Sequence, residues 1–210
     1  KIHFEDYLGM TLDEAIRTAR EYDLHQMKAC TICGTTRRRI LDQHAKKIGA
    51  TKLAIGHNLD DQAETMLQNI LRNDPLMIGR KPIAGSEKSD LFIQKIKPLY
   101  NIPEDEISLY VYYKDFPIQT HICPYSLPDQ FFVLRRAVQS FINELQTNIP
   151  EVKYNILNAN QILYDIISEH ISKTEEEGYN VCRECGEPCG KVETLCRFCT
   201  MPSRMDTRSP

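Results

Sequence analysis

Two pairs of cysteines near the end of the chain constrain its fold more than any other feature. In the stretch CRECGEPCGKVETLCRFC, two pairs have the spacing Cys-x2-Cys, and ten residues separate them. Each pair forms a tight turn that offers two thiolates to one ion, and two such turns complete the tetrahedral site of a structural Zn²⁺. We interpret the leftover Cys189 as a bystander thiol. The pattern therefore predicts a C-terminal zinc ribbon whose ligands are Cys182, Cys185, Cys196 and Cys199.

The composition favours intracellular metal or redox chemistry over a disulfide framework. The chain has 210 residues and eight cysteines, with a net charge of only −3, which does not by itself indicate a nucleic-acid partner. Its start, KIHFEDYLGM, lacks the charged and then apolar layout of a secretory signal, and no apolar run reaches the roughly 18 residues of a membrane span. We therefore expect a cytoplasmic protein that does not bind membranes.

Alternating helix and strand patterns upstream of the ribbon predict an α/β fold with a mostly parallel sheet. The predicted strands are 52–56, 91–96 and 117–122. The predicted helices are 12–22, 35–48, 59–72, one that begins after Pro103, 128–147 and 151–172. The predicted organisation is a core over 1–172, a charged linker over 173–180, the ribbon over 181–202 and a tail over 203–210.

A further cysteine pair, Cys30 and Cys33, lies directly before the second long predicted helix and beside a run of basic residues. A helix N-terminus and nearby cations both favour the thiolate form of cysteine. The consecutive Arg37, Arg38 and Arg39 point around roughly 200° of a helix, so at least one is expected to pack or pair inside the protein. The others could contact phosphate or could form a solvated basic face.

The sequence IGHNLDD, at residues 55–61, follows a predicted strand and opens a helix. In open α/β sheets, ligands bind beyond the carboxyl ends of strands, and helix N-termini attract phosphate. Asn58 could cap the helix, and Asp60 and Asp61 could simply complement its dipole. Alternatively, one of the two aspartates binds Mg²⁺ or assists adenylation beside ATP.

Cys123, in the sequence HICPY, also follows a predicted strand and could lie at the same sheet edge. A lone cysteine is usually a small buried hydrophobe. If Cys123 converges with Cys30 and Cys33, however, three thiolates could hold an iron–sulfur cluster that leaves one iron open for substrate.

The combination of CTICGTTRRR, GHNLDD, CPYS and the terminal cysteine pairs closely resembles one family of enzymes. These are the TtuA/TtcA-type tRNA 2-thiolation enzymes of the PP-loop ATP-pyrophosphatase superfamily, and most of all their TtuA/Ncs branch. The resemblance covers essentially the whole chain and implies a Rossmann-like core of the PP-loop or HUP type. It implies ATP-dependent 2-thiolation of a tRNA uridine, in which the base is adenylated with ATP and Mg²⁺ and sulfur then replaces its oxygen.

The resemblance also implies roles for individual residues. A [4Fe-4S] cluster would be held by Cys30, Cys33 and Cys123, which join Asp60 and Asp61 as catalytic residues. ATP and Mg²⁺ would be bound by Gly56, His57, Asn58 and Asp61. The tRNA would be contacted by Arg37, Arg38, Arg39, Arg135 and Arg136. The sulfur donor would be a ubiquitin-like thiocarboxylate carrier or free sulfide, and the chain could form a homodimer.

One family feature does not occur in the sequence, the SGGxDS phosphate loop. That loop normally follows the first strand, so we expect the core to be incomplete at its N-terminus, or the loop to come from another polypeptide. The chain alone is then expected not to hydrolyse ATP competently. Two alternatives stay open: a cluster-free thiolase with a persulfide or disulfide pair at Cys33 and Cys123, and a non-catalytic, zinc-stabilised tRNA-binding scaffold.

Overall fold

The computed structural model describes residues 3–21, 28–78, 93–118, 123–125, 130–174, 180–189 and 193–205. These residues form mostly helices, with four short strands among them. In chain order the elements are α1 (Glu5–Leu8), α2 (Leu12–Glu21), α3 (Ala29–Lys47), β1 (Lys52–Ala54), α4 (Leu59–Leu71), α5 (Pro75–Ile78), β2 (Gln94–Ile96), α6 (Glu104–Tyr113), α7 (Gln130–Gln146), α8 (Val152–Thr174), β3 (Asn180–Val181), β4 (Pro188–Cys189) and α9 (Arg197–Met205). Within these residues, no helix combines the length and apolarity needed to cross a bilayer.

The chain divides into two compact units that do not follow sequence order. The first, here called unit 1, comprises Lys1–Leu53, Lys88–Ile93 and Glu177–Pro210. The second, unit 2, comprises Ala54–Glu87 and Gln94–Glu176. The cysteine-rich C-terminal segment therefore belongs to the same unit as α1, α2 and α3.

In unit 1, α2 begins at a capping box that Thr11 and Glu14 form. The Thr11 hydroxyl accepts a hydrogen bond from the Glu14 N–H at 3.1 Å, and the Glu14 carboxylate accepts one from the Thr11 N–H at 2.8 Å. The bonds from Thr11 lower the pKa of Glu14 below its ordinary value. On its inner side, α2 buries Ala15, Ile16 and Ala19.

The helix α3 begins at Ala29 and not near residue 35. The prediction that Cys30 and Cys33 precede this helix is therefore wrong. Lys28 is extended, and its carbonyl accepts hydrogen bonds from the N–H groups of the third and fourth following residues. Ile32 is fully buried, which favours a helical path through a stretch of poor helix formers. Cys30 and Cys33 are thus three residues apart on one helix, a spacing that places side chains on one face.

Unit 2 is built around α4. This helix packs against α5, α7 and α8, and its Ala63 joins a core cluster with Val138, Ile142 and Val152. At its start, Leu59 packs with Tyr100 and Leu157.

The strands β1 and β2 are neighbours in a two-stranded sheet, with α4 and α5 between them in the chain. The pairing continues in unit 2 through a hydrogen bond from the Ile55 N–H to the Ile96 carbonyl at 2.9 Å. This strand–helix–strand order is that of the predicted α/β fold. Of the strand predicted over 117–122, residues 117–118 form no strand, and 119–122 lie outside the described residues. In unit 1, β3 and β4 pair antiparallel.

Candidate functional site

The sequence GHNLDD forms the turn from β1 into α4. Gly56 and His57 are exposed, whereas Asn58 is buried at the N-cap of the helix. The Asn58 side chain accepts a hydrogen bond from the Asp61 N–H at 2.9 Å, and the Asp61 carboxylate accepts one from the Asn58 N–H at 3.2 Å. The predicted capping role of Asn58 is confirmed, and Asp61 completes the capping box.

Asp60 joins α4 to two other helices of unit 2. One carboxylate oxygen accepts a hydrogen bond from the Glu104 N–H, at the first residue of α6, at 2.8 Å. The other oxygen forms an ion pair with the Lys153 ammonium of α8. The side chains of Asp60 and Lys153 are only 9% and 5% exposed, so the pair is almost fully removed from water. A buried carboxylate requires such partners, because an unpaired one would be strongly unfavourable.

Arg135 of α7 bridges two acidic side chains of α4. Its Nη2 donates to Asp61 Oδ1 at 2.8 Å, and its Nε donates to Glu64 Oε2 at 2.9 Å. The Glu64 side chain is 4% exposed, whereas that of Arg135 is 41% exposed. The guanidinium therefore lies at the boundary between the interior of unit 2 and solvent.

Burial and charge act in opposite directions in this cluster. Burial raises the pKa of Glu64, and the Arg135 charge only partly offsets that effect. Burial would lower the pKa of Arg135, but Glu64 and Asp61 together raise it above its ordinary value. Burial lowers the pKa of Lys97, whose ammonium donates to the Gln62 side chain at 2.7 Å, although Asp61 opposes the shift.

All four carboxylate oxygens of Asp60 and Asp61 thus accept hydrogen bonds or ion pairs within unit 2. The two residues hold α4 to α6, α7 and α8. Arg135 contacts Asp61, whereas the neighbouring Arg136 is exposed. No local sequence pattern indicates Lys153 as the partner of Asp60, because the two residues are 93 positions apart.

The three cysteines predicted to hold a cluster lie in different units. Cys30 and Cys33 are half-buried on α3 in unit 1. Cys123 is exposed in unit 2. The shared face of Cys30 and Cys33 suits two ligands of one metal group, and the participation of Cys123 stays a prediction.

The four ribbon cysteines come together as predicted. Their Sγ atoms all lie within 4.8 Å of one another, and the Cys185 and Cys196 sulfurs are 3.6 Å apart. Four thiolates bound to Zn²⁺ at about 2.3 Å would be about 3.8 Å apart, so this set fits a tetrahedral metal ion. Cys189 instead donates from its thiol to the Glu193 carbonyl at 3.1 Å.

The thiols of this group differ in their readiness to ionise. Burial raises the pKa of Cys182, but hydrogen bonds from the backbone of Cys196, Glu184 and Cys185 outweigh it and lower the value to about 6. Burial raises the pKa values of Cys185 and Cys199. One thiolate is therefore available near neutral pH, and a cation would favour the ionisation of the others.

The ribbon docks on α3 through Glu187 and Phe198, which no sequence motif singles out. Glu187, between the two cysteine pairs, forms ion pairs with Lys46 at 2.8 Å and Arg39 at 3.2 Å. The ring of Phe198 lies 5.7 Å from the Arg39 guanidinium carbon. The Arg39 side chain is only 10% exposed, so it is the arginine that pairs inside the protein. No local pattern could reveal an ion pair between residues 141 positions apart.

Comparison with known proteins gives matches along most of the chain. A family model described as the PP-loop domain matches residues 11–118. A probable sulfurtransferase of Methanocaldococcus jannaschii is 34% identical over 202 residues, which are 95% of this chain and 54% of that protein. The tRNA 2-thiolation protein NcsA of Haloferax volcanii is 32% identical over 204 residues, which are 94% of this chain and 61% of that protein.

The chain also resembles a solved structure of a tRNA thiolase. The U34-tRNA thiolase NcsA from Methanococcus maripaludis, with its [4Fe-4S] cluster, superposes with a TM-score of 0.72 and a sequence identity of 31%. The match covers 96% of this chain and 58% of that one. The chain therefore spans a little over half the length of the relatives it matches.

Proposed function

Because the chain belongs to the PP-loop domain family, we propose that it forms the core of an ATP-dependent tRNA-uridine 2-sulfurtransferase. The observation that carries this proposal is the match to a solved tRNA thiolase, with a TM-score of 0.72 over 96% of this chain. The relatives from Methanocaldococcus jannaschii and Haloferax volcanii are named for sulfur transfer and for tRNA 2-thiolation. Uridine 34 is the first substrate to test, because the solved relative is named for that nucleotide.

Sulfur transfer is assigned to a [4Fe-4S] cluster held by Cys30, Cys33 and Cys123. The shared helical face of Cys30 and Cys33 supports the first two ligands. A cluster with three cysteine ligands supplies one iron that can bind sulfur.

Adenylation is assigned to the turn that contains Gly56, His57 and Asn58, together with Asp61. Between the two aspartates, Asp61 is the better candidate for Mg²⁺ binding or catalysis. Its carboxylate is half-buried beside the partly exposed Arg135, whereas that of Asp60 is buried in its pair with Lys153. Asp60 would then act by holding the helices that surround the nucleotide.

The remaining assignments concern metal and partners. Zn²⁺ in the four-cysteine ribbon would have a structural role and stabilise unit 1. It would not be catalytic, because four sulfur ligands leave no position on the ion for a substrate. The tRNA would meet the exposed Arg37, Arg38 and Arg136, whereas Arg39 and Arg135 are occupied within the protein. A thiocarboxylate carrier or sulfide would supply sulfur, a homodimer is consistent with this scheme, and the reducing cytoplasm suits its thiols.

Anaerobic purification and reconstitution with iron and sulfide test the cluster. The expected product is brown, and Cys123→Ala should abolish its visible absorbance and its bound iron. Cys189→Ala is the matched control and should keep both, since that thiol bonds to a ribbon carbonyl. A colourless protein that still thiolates tRNA would instead support a persulfide or disulfide pair at Cys33 and Cys123.

Mass spectrometry of nucleosides from treated tRNA tests the activity. The assay uses the complete polypeptide encoded by the gene that contains this sequence, with ATP, Mg²⁺ and sulfide. We expect 2-thiouridine that depends on ATP and is lost in Asp61→Asn. If tRNA binds but no thiolated nucleoside forms, even with a phosphate loop present, the protein is a scaffold and the enzymatic proposal is wrong.

A further inference from the structure

Some basic residues of α3 pair with the ribbon, and others remain exposed to solvent. Lys46 and Arg39 are neutralised by Glu187, and Arg39 also lies against the ring of Phe198. Arg37 and Arg38 are exposed to solvent. In the described part of the chain, neither of these two forms an ion pair with a carboxylate. Only part of the basic run of α3 is therefore available to an external anion.

The same docking brings a further arginine to α3. Arg197 is the exposed first residue of α9 and adjoins Phe198, which lies against Arg39, the neighbour of Arg38. Although the residue is exposed, its guanidinium is partly buried, and this partial burial, followed by the charges of Arg197 and Arg37, lowers the pKa of Arg38 below its ordinary value. Asp42 opposes this shift with the smallest effect. Three guanidinium groups from two elements therefore share one region of positive potential.

The Arg38 side chain points back along α3 towards the turn that carries Cys33. Its Nε donates to the Gly34 carbonyl at 3.0 Å, one turn towards the helix N-terminus. Gly34 directly follows Cys33. An anion held by Arg38 would thus lie beside the part of α3 that carries the cysteine pair.

We propose that Arg37, Arg38 and Arg197 form one composite site for the phosphodiester backbone of RNA, which places the bound strand beside Cys33. Like charges that are held together repel one another, and a polyanion relieves that repulsion while releasing its own counterions. Guanidinium groups suit this ligand because their planar forks pair with phosphate oxygens in two parallel hydrogen bonds.

The site exists only when the ribbon is docked, because Arg197 comes from α9 and the other two from α3. The proposal rests on the proposed function, since that function supplies the RNA. It goes further by adding a ribbon residue to the tRNA contacts. It also separates direct contacts from Arg39, which would act by holding the ribbon in place.

Binding of fluorescently labelled tRNA to the whole chain, followed by anisotropy at several salt concentrations, tests the site. Arg38→Gln and Arg197→Gln should each weaken binding about fivefold to tenfold near 0.1 M salt, and each should reduce the slope of log affinity against log salt by about 1. Matched controls remove one charge from the same elements at exposed positions. These are Lys47→Gln on α3 and Arg183→Gln in the ribbon, and they should change affinity less than about twofold.

The outcomes separate this proposal from the proposed function. If wild-type protein binds tRNA but Arg38→Gln and Arg197→Gln behave like the two controls, the composite site is wrong and the function stands. If wild-type protein does not bind tRNA, both are wrong. Circular dichroism and bound metal content must match wild type in every variant, so that lost affinity reports lost contacts. If Arg197→Gln shows a weaker circular dichroism signal and less bound metal than wild type, Arg197→Lys is used in its place. This variant retains the charge, so it should retain the wild-type slope of log affinity against log salt.

Discussion

Replacement of Arg135 by methionine would remove the guanidinium that joins α7 to α4. Glu64, with 4% of its side chain exposed, would lose its charged partner, and Asp61 would lose one of its hydrogen-bond donors. Breaking a buried ion pair by removing one partner costs about 3–5 kcal/mol. Because the Arg135 side chain is 41% exposed, solvent screens part of that interaction, and we expect a loss of about 2 kcal/mol at pH 7.

The loss should depend on pH in a defined direction. Burial raises the pKa of Glu64 above its unfolded value, and Arg135 opposes that rise. In Arg135→Met, burial and the charges of Asp61 and Glu104 all act to raise this pKa without opposition from Arg135, so the folded-state pKa of Glu64 rises further. A carboxyl group with a raised folded-state pKa binds more protons when folded, so stability falls as pH increases from the unfolded to the folded pKa. The slope can approach about 1.4 kcal/mol per pH unit, and the penalty should be smallest near pH 4.

Native-state hydrogen exchange of peptides from α4 and α7, measured between pH 5 and pH 8, reads the stability of unit 2 directly. Arg136→Met is the matched control, because Arg136 is the exposed neighbour on the same helix and its loss should cost less than about 0.5 kcal/mol. The double variant Arg135→Met/Glu64→Gln should recover stability above pH 6. The reasoning is refuted if Arg135→Met costs no more than Arg136→Met, or if its cost does not change with pH.

Three further changes test other contacts. Lys153→Met should destabilise unit 2 by about 3 kcal/mol, because Asp60 stays buried without a cation, and urea unfolding should show partial recovery in Asp60→Asn/Lys153→Met. Gly34→Ala should stabilise α3 by about 0.5–1 kcal/mol, seen as a higher Tm, since the nearest atom to an added Cβ is 3.8 Å away. Cys196→Ser should lose one equivalent of bound zinc and the amide protection of the ribbon without loosening unit 2, and an unchanged metal content would contradict the four-sulfur site.

The sequence predicts what depends on near neighbours. The helix starts at Thr11 and Asn58 are stabilised by partners three residues away, so the pattern of residue types is sufficient to find them. The four ribbon thiols come together because each pair forms its own turn. The predicted start of α3 is wrong, because the first two turns of this helix depend on the burial of Ile32, which overrides weak local propensity.

The interior of unit 2 shows where local patterns fail. Apolar spacing predicts Met66, Leu67, Ile70 and Leu71 as the core face of α4. Met66 is buried and Leu67 packs against the core, as predicted, but Ile70 and Leu71 are 46% and 60% exposed. The helix instead buries polar side chains, including those of Asp60, Gln62, Glu64 and Gln68. Charged partners from α7 and α8 make that burial tolerable, and no pattern within α4 could indicate helices that begin more than sixty residues later.

The contacts of Asp60 change how loss-of-function variants of the GHNLDD motif should be interpreted. Replacing Asp60 by alanine would release the start of α6 and leave Lys153 buried without its carboxylate partner, so the proposed activity would be lost even if that carboxylate never touches a nucleotide. A screen that scores only thiolated tRNA would then record Asp60 and Asp61 as equivalent. Measuring soluble, folded protein beside product distinguishes the two kinds of defect: a purely chemical defect leaves the amount of folded protein intact, whereas the loss of the contacts of Asp60 reduces both together.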